Sequence, residues 1–225
     1  MTLHLRREVE KLRKMLSLLA ALVEESAQKA VGSVLDRDAA LAAKVIEFDP
    51  EIDDMEVDVE EECLKILALH QPVAADLRFI IAALKLNNDL ERIGDLAVNI
   101  AEIGAHLARS EPVSVPFDLR GMSDIVQGML RDSLDALMNM DAGLARDVRK
   151  RDDAVDAINR QMYPDVQAAI RANPERIGTL IRLLRVSHNL ERIADHATNI
   201  AEDVIYMVEG GIVRHRSWEH PPSST

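Results

Sequence analysis

Four pairs of carboxylate side chains occupy corresponding positions in the two halves of this chain, and in each pair the two acids are four residues apart. Two of the pairs belong to a thirteen-residue segment that occurs twice, at 90–102 and at 190–202, with ten identical positions. The pairs are Asp49/Asp53, Glu91/Asp95, Asp152/Asp156 and Glu191/Asp195. Carboxylate oxygens bind hard cations and pair with basic side chains. The spacing therefore indicates a site for a metal ion or for a basic group.

The repeated segment gathers its polar residues on one side of a helix. Successive helical residues are rotated by about 100°, so the four polar positions of each copy lie within about 80° of arc. They are Glu91, Asp95, Asn99 and Glu102, with the counterparts Glu191, Asp195, Asn199 and Glu202. Like charges four residues apart destabilise a bare helix by about 0.2 to 0.5 kcal/mol. A solvated helix face is the simpler interpretation, yet the copies differ at Gly94, Leu96 and Val98 and not at the acidic pair.

The acidic pairs on neighbouring helices are expected to converge within each half of the chain. In an antiparallel bundle, the helix with Asp49 and Asp53 lies beside the helix with Glu91 and Asp95. Oxygen ligands suit Mg²⁺, Mn²⁺, Ca²⁺ or ferric iron, and zinc is less favoured because cysteine and nearby histidine are scarce. The same carboxylates could instead form ion pairs with Arg92, Arg192 or a partner protein.

Other polar residues extend the pattern unequally in the two halves. Glu56 continues the first acidic pair, whereas Asn159 stands at the corresponding position of the second half. His188 lies three residues before Glu191 on the same stripe, where the first half has Asn88. His188 is a possible additional ligand, although a lone histidine is more often a surface or structural residue.

The elements that position these residues are predicted to be helices. Aromatic residues make up only 3% of the 225 residues, and good helix formers dominate, so the fold class is all-α. Apolar spacing and turn residues predict six long helices, at 3–33, 38–69, 72–109, 118–140, 144–172 and 174–209. The breaks fall at Gly32-Ser33, Gln71-Pro72, Asp141-Ala142-Gly143 and Asn173-Pro174.

The repeat predicts a tandem duplication of an antiparallel three-helix bundle. The first domain is expected at 1–110 and the second at 118–211, joined by the proline-containing linker 110–117. Gly210-Gly211 is expected to end the last helix, and residues 212–225 to form a flexible tail in which Trp218 could dock locally.

Composition excludes several classes of function. A net charge of −12 opposes general binding to nucleic acid or to an anionic membrane. Cys63, the single cysteine, fits a buried apolar position and a reducing compartment. No apolar run reaches the length of about 18 residues that spans a bilayer, and the basic N-terminus followed by 15–23 is best explained as a first helix of a cytoplasmic protein. No phosphate loop, catalytic triad or dinucleotide fingerprint is present in the sequence, which argues against an enzyme.

Three segments resemble the PhoU family of bacterial phosphate-signalling regulators. They are Asp-Leu-Glu-Arg-Ile-Gly-Asp at 89–95, its copy at 189–195, and Gln-Pro-Val-Ala-Ala-Asp-Leu-Arg at 71–78. The resemblance covers about residues 3–210 and implies two three-helix bundles in a cytoplasmic protein that is often a homodimer. It also implies that metal clusters form on the acidic pairs, with a metal that differs within the family.

The resemblance predicts a non-enzymatic regulator of phosphate homeostasis. Members of the family negatively control the phosphate-starvation response, acting between the ATPase subunit of the high-affinity phosphate ABC transporter and a membrane sensor histidine kinase. A transcriptional effect would thus be indirect, and the membrane would be reached only through partners. Gln71, Asp76 and Arg78 are possible partner contacts, although helix capping and an ion pair account for most of that segment.

The expected cofactor is a divalent or trivalent metal: iron, Mn, Mg or Zn. The alternative function is a metal-storing or iron-dependent oxidative bundle of ferritin-like type, built on the same carboxylates. The absence of a Glu-x-x-His motif from the sequence weighs against that alternative.

Overall fold

A computed structural model describes residues 3–210 of the chain. In this range the chain forms six long α-helices and no β-strand. The helices are α1 (Leu3–Leu35), α2 (Ala39–His70), α3 (Ala74–Arg109), α4 (Leu119–Asn139), α5 (Ala142–Ala172) and α6 (Ile177–Glu209), and a short 3₁₀ turn at Pro174–Arg176 precedes α6. The predictions of an all-α fold and of six long helices are confirmed. The expected tail at 212–225, with Trp218, lies outside the described residues.

Two helix boundaries differ from the sequence prediction. Gly32 and Ser33 do not end α1, which continues to Leu35, because the hydroxyl of Ser33 is buried and bonded to the carbonyl of Ala30 at 2.7 Å. Pro72 is not the first residue of α3: it lies in the connection between Gln71, which caps α2 in the left-handed region, and Ala74, where α3 begins.

The other helix ends follow the turn residues of the sequence. Asp38 and Asp141 cap α2 and α5, because the side chain of each accepts hydrogen bonds from two backbone N–H groups of the first turn. Pro174 begins the 3₁₀ turn, and Gly210 ends α6 with a φ of 72°, a conformation that glycine adopts without strain. Gly211 lies outside the described residues.

Each half of the chain packs as three helices around an apolar core. In the first half, α1, α2 and α3 contact one another, and in the second half α4, α5 and α6 do the same. Helices α1 and α2 run in opposite directions, as the ion pairs of Lys11 with Glu62 and of Glu8 with Lys65 show. Glu62 is only 5% exposed. The pKa of Glu62 is lowered: burial alone would raise it, and the hydrogen bonds from Lys11 and Lys65 outweigh that effect.

The two halves pack against each other through their third helices. Helices α3 and α6 share an extensive interface, and α1 also contacts α4. Lys85 of α3 pairs with Asp203 of α6 at 3.5 Å, and His196 Nδ1 lies 2.8 Å from a carboxylate oxygen of Asp89. These contacts show that α3 and α6 run antiparallel, with residues 94 and 194 near the centre of their overlap.

Within residues 3–210, no helix combines the length and the apolar character required to cross a membrane. The domain boundaries at 1–110 and 118–211 remain predictions.

Candidate functional site

The acidic pairs lie where α2 meets α3 and where α5 meets α6. The side-chain amide of Asn87 on α3 donates to the backbone carbonyl and to a carboxylate oxygen of Glu56 on α2, at 2.9 and 2.8 Å. This bond fixes the antiparallel register of the two helices. Asp49 lies seven residues before Glu56 on α2, and Gly94 lies seven residues after Asn87 on α3. The same antiparallel register therefore places Asp49 beside Gly94 and Asp95.

A close approach of the two helices depends on Gly94. A β-carbon built on Gly94 would lie 3.3 Å from Ile52 Cγ2 and 3.9 Å from a carboxylate oxygen of Asp49. In the second half, Ala194 supplies that carbon, and Val155 replaces the larger Ile52. The extra methyl of Ala194 and the smaller Val155 offset each other, so both halves can bring their acidic residues together at a similar helix separation.

The first acidic cluster consists of Asp49, Asp53, Glu91 and Asp95, with Glu56 at its edge. Burial, followed by the charges of Asp53 and Asp95, raises the pKa of Asp49. The pKa of Glu91 is raised by burial and by Asp95, against the opposing effect of Arg92. Asp95 of α3 thus contributes to the raised pKa of Asp49 on α2, and Asp53 of α2 contributes to that of Glu91 on α3, so the two pairs lie close enough to interact electrostatically.

Arg92 relieves part of the repulsion in this cluster. Its guanidinium lies 3.4 Å from Glu91 and 3.3 Å from Asp95. The side chain is half exposed, so the two ion pairs are weak ones of about 0 to 1 kcal/mol each. Burial and the neighbouring charges of Glu60 and Asp53 raise the pKa of Glu56 as well.

The second acidic cluster consists of Asp152, Asp156, Glu191 and Asp195. Burial, then Asp195 and Asp156, raise the pKa of Asp152 to about 6. Burial and Asp156 likewise raise the pKa of Asp195. His188 lies 3.3 Å from Glu191, which places this histidine at the edge of the cluster as the sequence suggested. Burial and Asp195 raise the pKa of Glu191, and His188 opposes the rise.

The remaining residues of the predicted polar stripe do not join the acidic clusters. Glu202 pairs with Arg149 of α5 at 3.2 Å, and Asn199 points to Asp89 across the interface between the halves, at 3.5 Å. Asn159 is half-buried with its side-chain oxygen unpaired among the described residues. Asn99 is half-buried and Glu102 is exposed, one or two turns beyond the first cluster.

Gln71 lies in the connection between α2 and α3, and Asp76 and Arg78 lie in the first two turns of α3. Gln71 and Ala74 adopt positive φ values of 44° and 49°, and the backbone N–H of Asp76 bonds to the carbonyl of Val73. The Nε atom of Arg78 is buried and has no hydrogen-bond partner among the described groups. Asp76 lies in the first turn of α3, where a negative charge complements the helix dipole.

The donor chemistry of both clusters fits a hard cation. Each cluster consists of carboxylates from two neighbouring helices, and these carboxylates repel one another. The side chains would have to move, since no group of three or more His, Cys, Asp or Glu residues in 3–210 is already arranged around one ion position. Most of these carboxylates are partly exposed.

Sequence reasoning missed the polar contacts between the halves. Asp89, Asp203 and His196 are buried or nearly so at the interface of α3 and α6. Their counterparts are Asn189, Ile103 and Leu96, so the repeat itself contains the signal: ionisable residues occur in one copy and not in the other. The meaning of this difference between the copies becomes clear only once α3 is known to pack against α6.

Comparison with known proteins gives a consistent result. A sequence profile described as the PhoU domain matches residues 16–104 and again 119–204, which confirms the duplication. A Pseudomonas putida protein named phosphate-specific transport system accessory protein PhoU homolog is 39% identical over 209 residues, covering 92% of this chain and 82% of that protein. A homolog of the same name from Aquifex aeolicus is 38% identical over 93% of this chain and 95% of its own length.

Solved structures agree with these sequence comparisons. The crystal structure of PhoU from Pseudomonas aeruginosa superposes with a TM-score of 0.89 at 38% identity, covering 92% of this chain and 99% of that one. The phosphate transport system regulatory protein PhoU from Streptococcus pneumoniae superposes with a TM-score of 0.85 at 28% identity, covering 93% and 99%.

Proposed function

This chain belongs to the PhoU family, and on that premise we propose that it is a non-enzymatic accessory regulator of phosphate transport. The observation that carries the proposal is the double match to the PhoU domain together with relatives named for the phosphate-specific transport system. The chain would act in the cytoplasm and repress the phosphate-starvation response when phosphate is abundant. Its partners would be the ATPase subunit of the phosphate ABC transporter and the sensor histidine kinase, and the active form would be a homodimer.

Deleting the gene tests the regulatory role. We expect alkaline phosphatase activity to become constitutive in medium with abundant phosphate, and a plasmid copy of the wild-type gene to restore repression. Unchanged alkaline phosphatase activity and phosphate uptake in the deletion strain would contradict the proposal. The same strain provides the background in which surface variants can be compared.

We also propose that the two acidic clusters each bind a metal cation. Asp49, Asp53, Glu91 and Asp95 would hold it in the first cluster, and Asp152, Asp156, Glu191 and Asp195 in the second. A bound cation would neutralise carboxylates whose pKa values are raised by burial and by each other, and would tie α2 to α3 and α5 to α6. The mutual repulsion across each helix pair supports this proposal, and redox chemistry is not required for it.

Calorimetric titration of chelator-treated protein with Mn²⁺ tests the metal proposal. We expect binding by the wild type, and a loss of about tenfold or more in affinity at the first site in Glu91→Gln/Asp95→Asn. Asp58→Asn is the matched control, because Asp58 is an exposed carboxylate on α2 that does not contribute to the pKa shifts of the cluster. Absence of binding of Mn, Fe, Mg and Zn by the wild type would overturn the proposal.

A further inference from the structure

The third helix of each half presents a second, outward-facing seam. On α3, positions 77, 81, 84, 88, 91 and 95 follow the alternating spacing of four and three residues that characterises a coiled-coil seam. Three of these positions are apolar: Leu77, Ile81 and Leu84. Leu77 and Ile81 are each 39% exposed, and Leu84 is half-buried. Leu77 and Ile81 thus form an outward-facing apolar stripe on α3, and Leu84 beside them packs against the core.

The position of α3 in the fold explains why this seam is open. Helix α3 is contacted by α1, α2 and α6. Because α2 and α6 flank α3 while α1 packs beneath it, the free side of α3 is the one opposite α1. The acidic cluster lies on this side, and the apolar positions continue from it toward the N-terminus of α3.

Helix α2 extends the apolar surface on the same side. The bond from Asn87 to Glu56 sets the register, so Leu64 lies level with the turn from Leu77 to Ile81. Leu64 is 54% exposed and Val57 is 50% exposed. A groove between two antiparallel helices, lined by apolar residues at heptad spacing, matches the way in which amphipathic helices bind. Here the bound helix would pack as a fourth helix of the first bundle.

Charge distinguishes this groove from its repeat in the second half. Residues 47–62 of α2 contain ten carboxylates, and the chain has no Lys or Arg from 45 to 64. Asp54, Asp58, Glu60 and Glu61 are exposed, form no ion pair within residues 3–210 and are separate from the proposed metal ligands. The corresponding residues 150–165 contain four carboxylates and three basic side chains. Ile177 and Ile181 repeat the apolar seam there, with Arg185 exposed one turn away.

We propose that the α2–α3 groove, defined by Val57, Leu64, Leu77 and Ile81, is the docking site for an amphipathic helix of a partner protein that carries Lys or Arg along its flank. The acidic flank of α2 determines this occupant: it attracts a basic helix and repels a second copy of the same groove. The inference rests on the proposed function, because the partner would be a component of the regulatory system in which this chain acts.

A synthetic peptide of about three heptads tests the docking site directly. The peptide carries Leu at the a and d positions and Lys at e and g, where the Lys residues also oppose self-association. A matched peptide carries Glu at e and g. Binding to the full chain is measured by fluorescence anisotropy at several salt concentrations. We expect the Lys peptide to bind, more weakly as salt rises, and the Glu peptide to show no binding.

Variants of the chain locate the site. Leu64→Gln/Ile81→Gln should raise the Kd of the Lys peptide by about tenfold or more. Glu60→Lys/Glu61→Lys should raise the Kd at low salt by a larger factor. Ile181→Gln in the second half is the control and should leave the Kd unchanged. Circular dichroism and thermal unfolding of each variant report that the fold is intact, as expected for exposed positions.

Three results of the peptide-binding experiment would overturn the docking site. They are absence of binding of the Lys peptide, equal binding of the Lys and Glu peptides, and an equal loss of affinity in Ile181→Gln. Dissociation of a wild-type dimer by Leu64→Gln/Ile81→Gln would show that a second copy covers the groove and would also overturn the proposal. Unchanged repression in the deletion strain, with normal peptide binding, would reject the regulatory function alone.

Discussion

At the scale of single residues, Asp152 connects the geometry of the second cluster to a measurable dependence on pH. Burial and the charges of Asp195 and Asp156 raise the pKa of Asp152 to about 6, whereas the value in an unfolded chain is 3.8. Between these two values the unfolded chain releases the proton and the folded chain retains it. The free energy of unfolding therefore falls as pH rises from about 4 to about 6, and the lost stability is not regained above that window.

Replacing the carboxyl group removes this loss. In the metal-free protein, Asp152→Asn should gain stability relative to the wild type as pH rises from 4 to 7, by on the order of 1 kcal/mol once solvent screening of a half-exposed group is considered. Urea unfolding at several pH values measures the difference. Asp147→Asn is the control of opposite sign, because a hydrogen bond from Lys150 lowers the pKa of the exposed Asp147. A stability difference for Asp152→Asn that does not change with pH would refute the expectation.

At the scale of helices, sequence patterns identified every long element but not every boundary. Pro50 and Pro164 lie inside α2 and α5, where each lacks an N–H for the helical ladder. The apolar periodicity on both sides buries enough surface to keep each helix continuous. At Gly32, α1 continues at a point where Leu41 of α2 packs closely against it, since a β-carbon there would lie 3.2 Å from Leu41 Cδ2. Local turn signals could not predict which contacts the core would supply.

The sequence predicts which acidic residues share a helix face by the same patterns that predict the helices. A separation of four residues fixes which side chains share a face, and a short connection fixes which helices are neighbours. The exposed fraction of each carboxyl, and hence its pKa, required the packed structure. The outward apolar seam could not be separated from the core by sequence either, since Leu77, Ile81 and Leu84 have the same composition as a buried stripe.

At the scale of the whole molecule, the decisive contact is the antiparallel pairing of α3 with α6, which no feature of either repeat predicts alone. The two copies are not equivalent there. His196 Nδ1 lies 2.8 Å from Asp89, which is only 6% exposed, whereas the counterparts across the pseudo-two-fold relation are Leu96 and Asn189. One side of the interface thus has an ionisable pair where the other has an amide and an apolar residue.

This difference predicts how the halves depend on each other. His196→Leu installs the residue of the first copy. Among the described residues, the buried Asp89 carboxyl would then keep only the weak contact to Asn199. This loss should lower the free energy of unfolding by about 1 to 3 kcal/mol. His196→Leu/Asp89→Asn reproduces the arrangement of Leu96 with Asn189, so it should recover most of that loss. Urea unfolding at pH 7 measures both variants. If the single and double variants were equally unstable, the lost stability would come from the volume of the histidine ring, and the polar contact between His196 and Asp89 would not be what joins the two halves at this point.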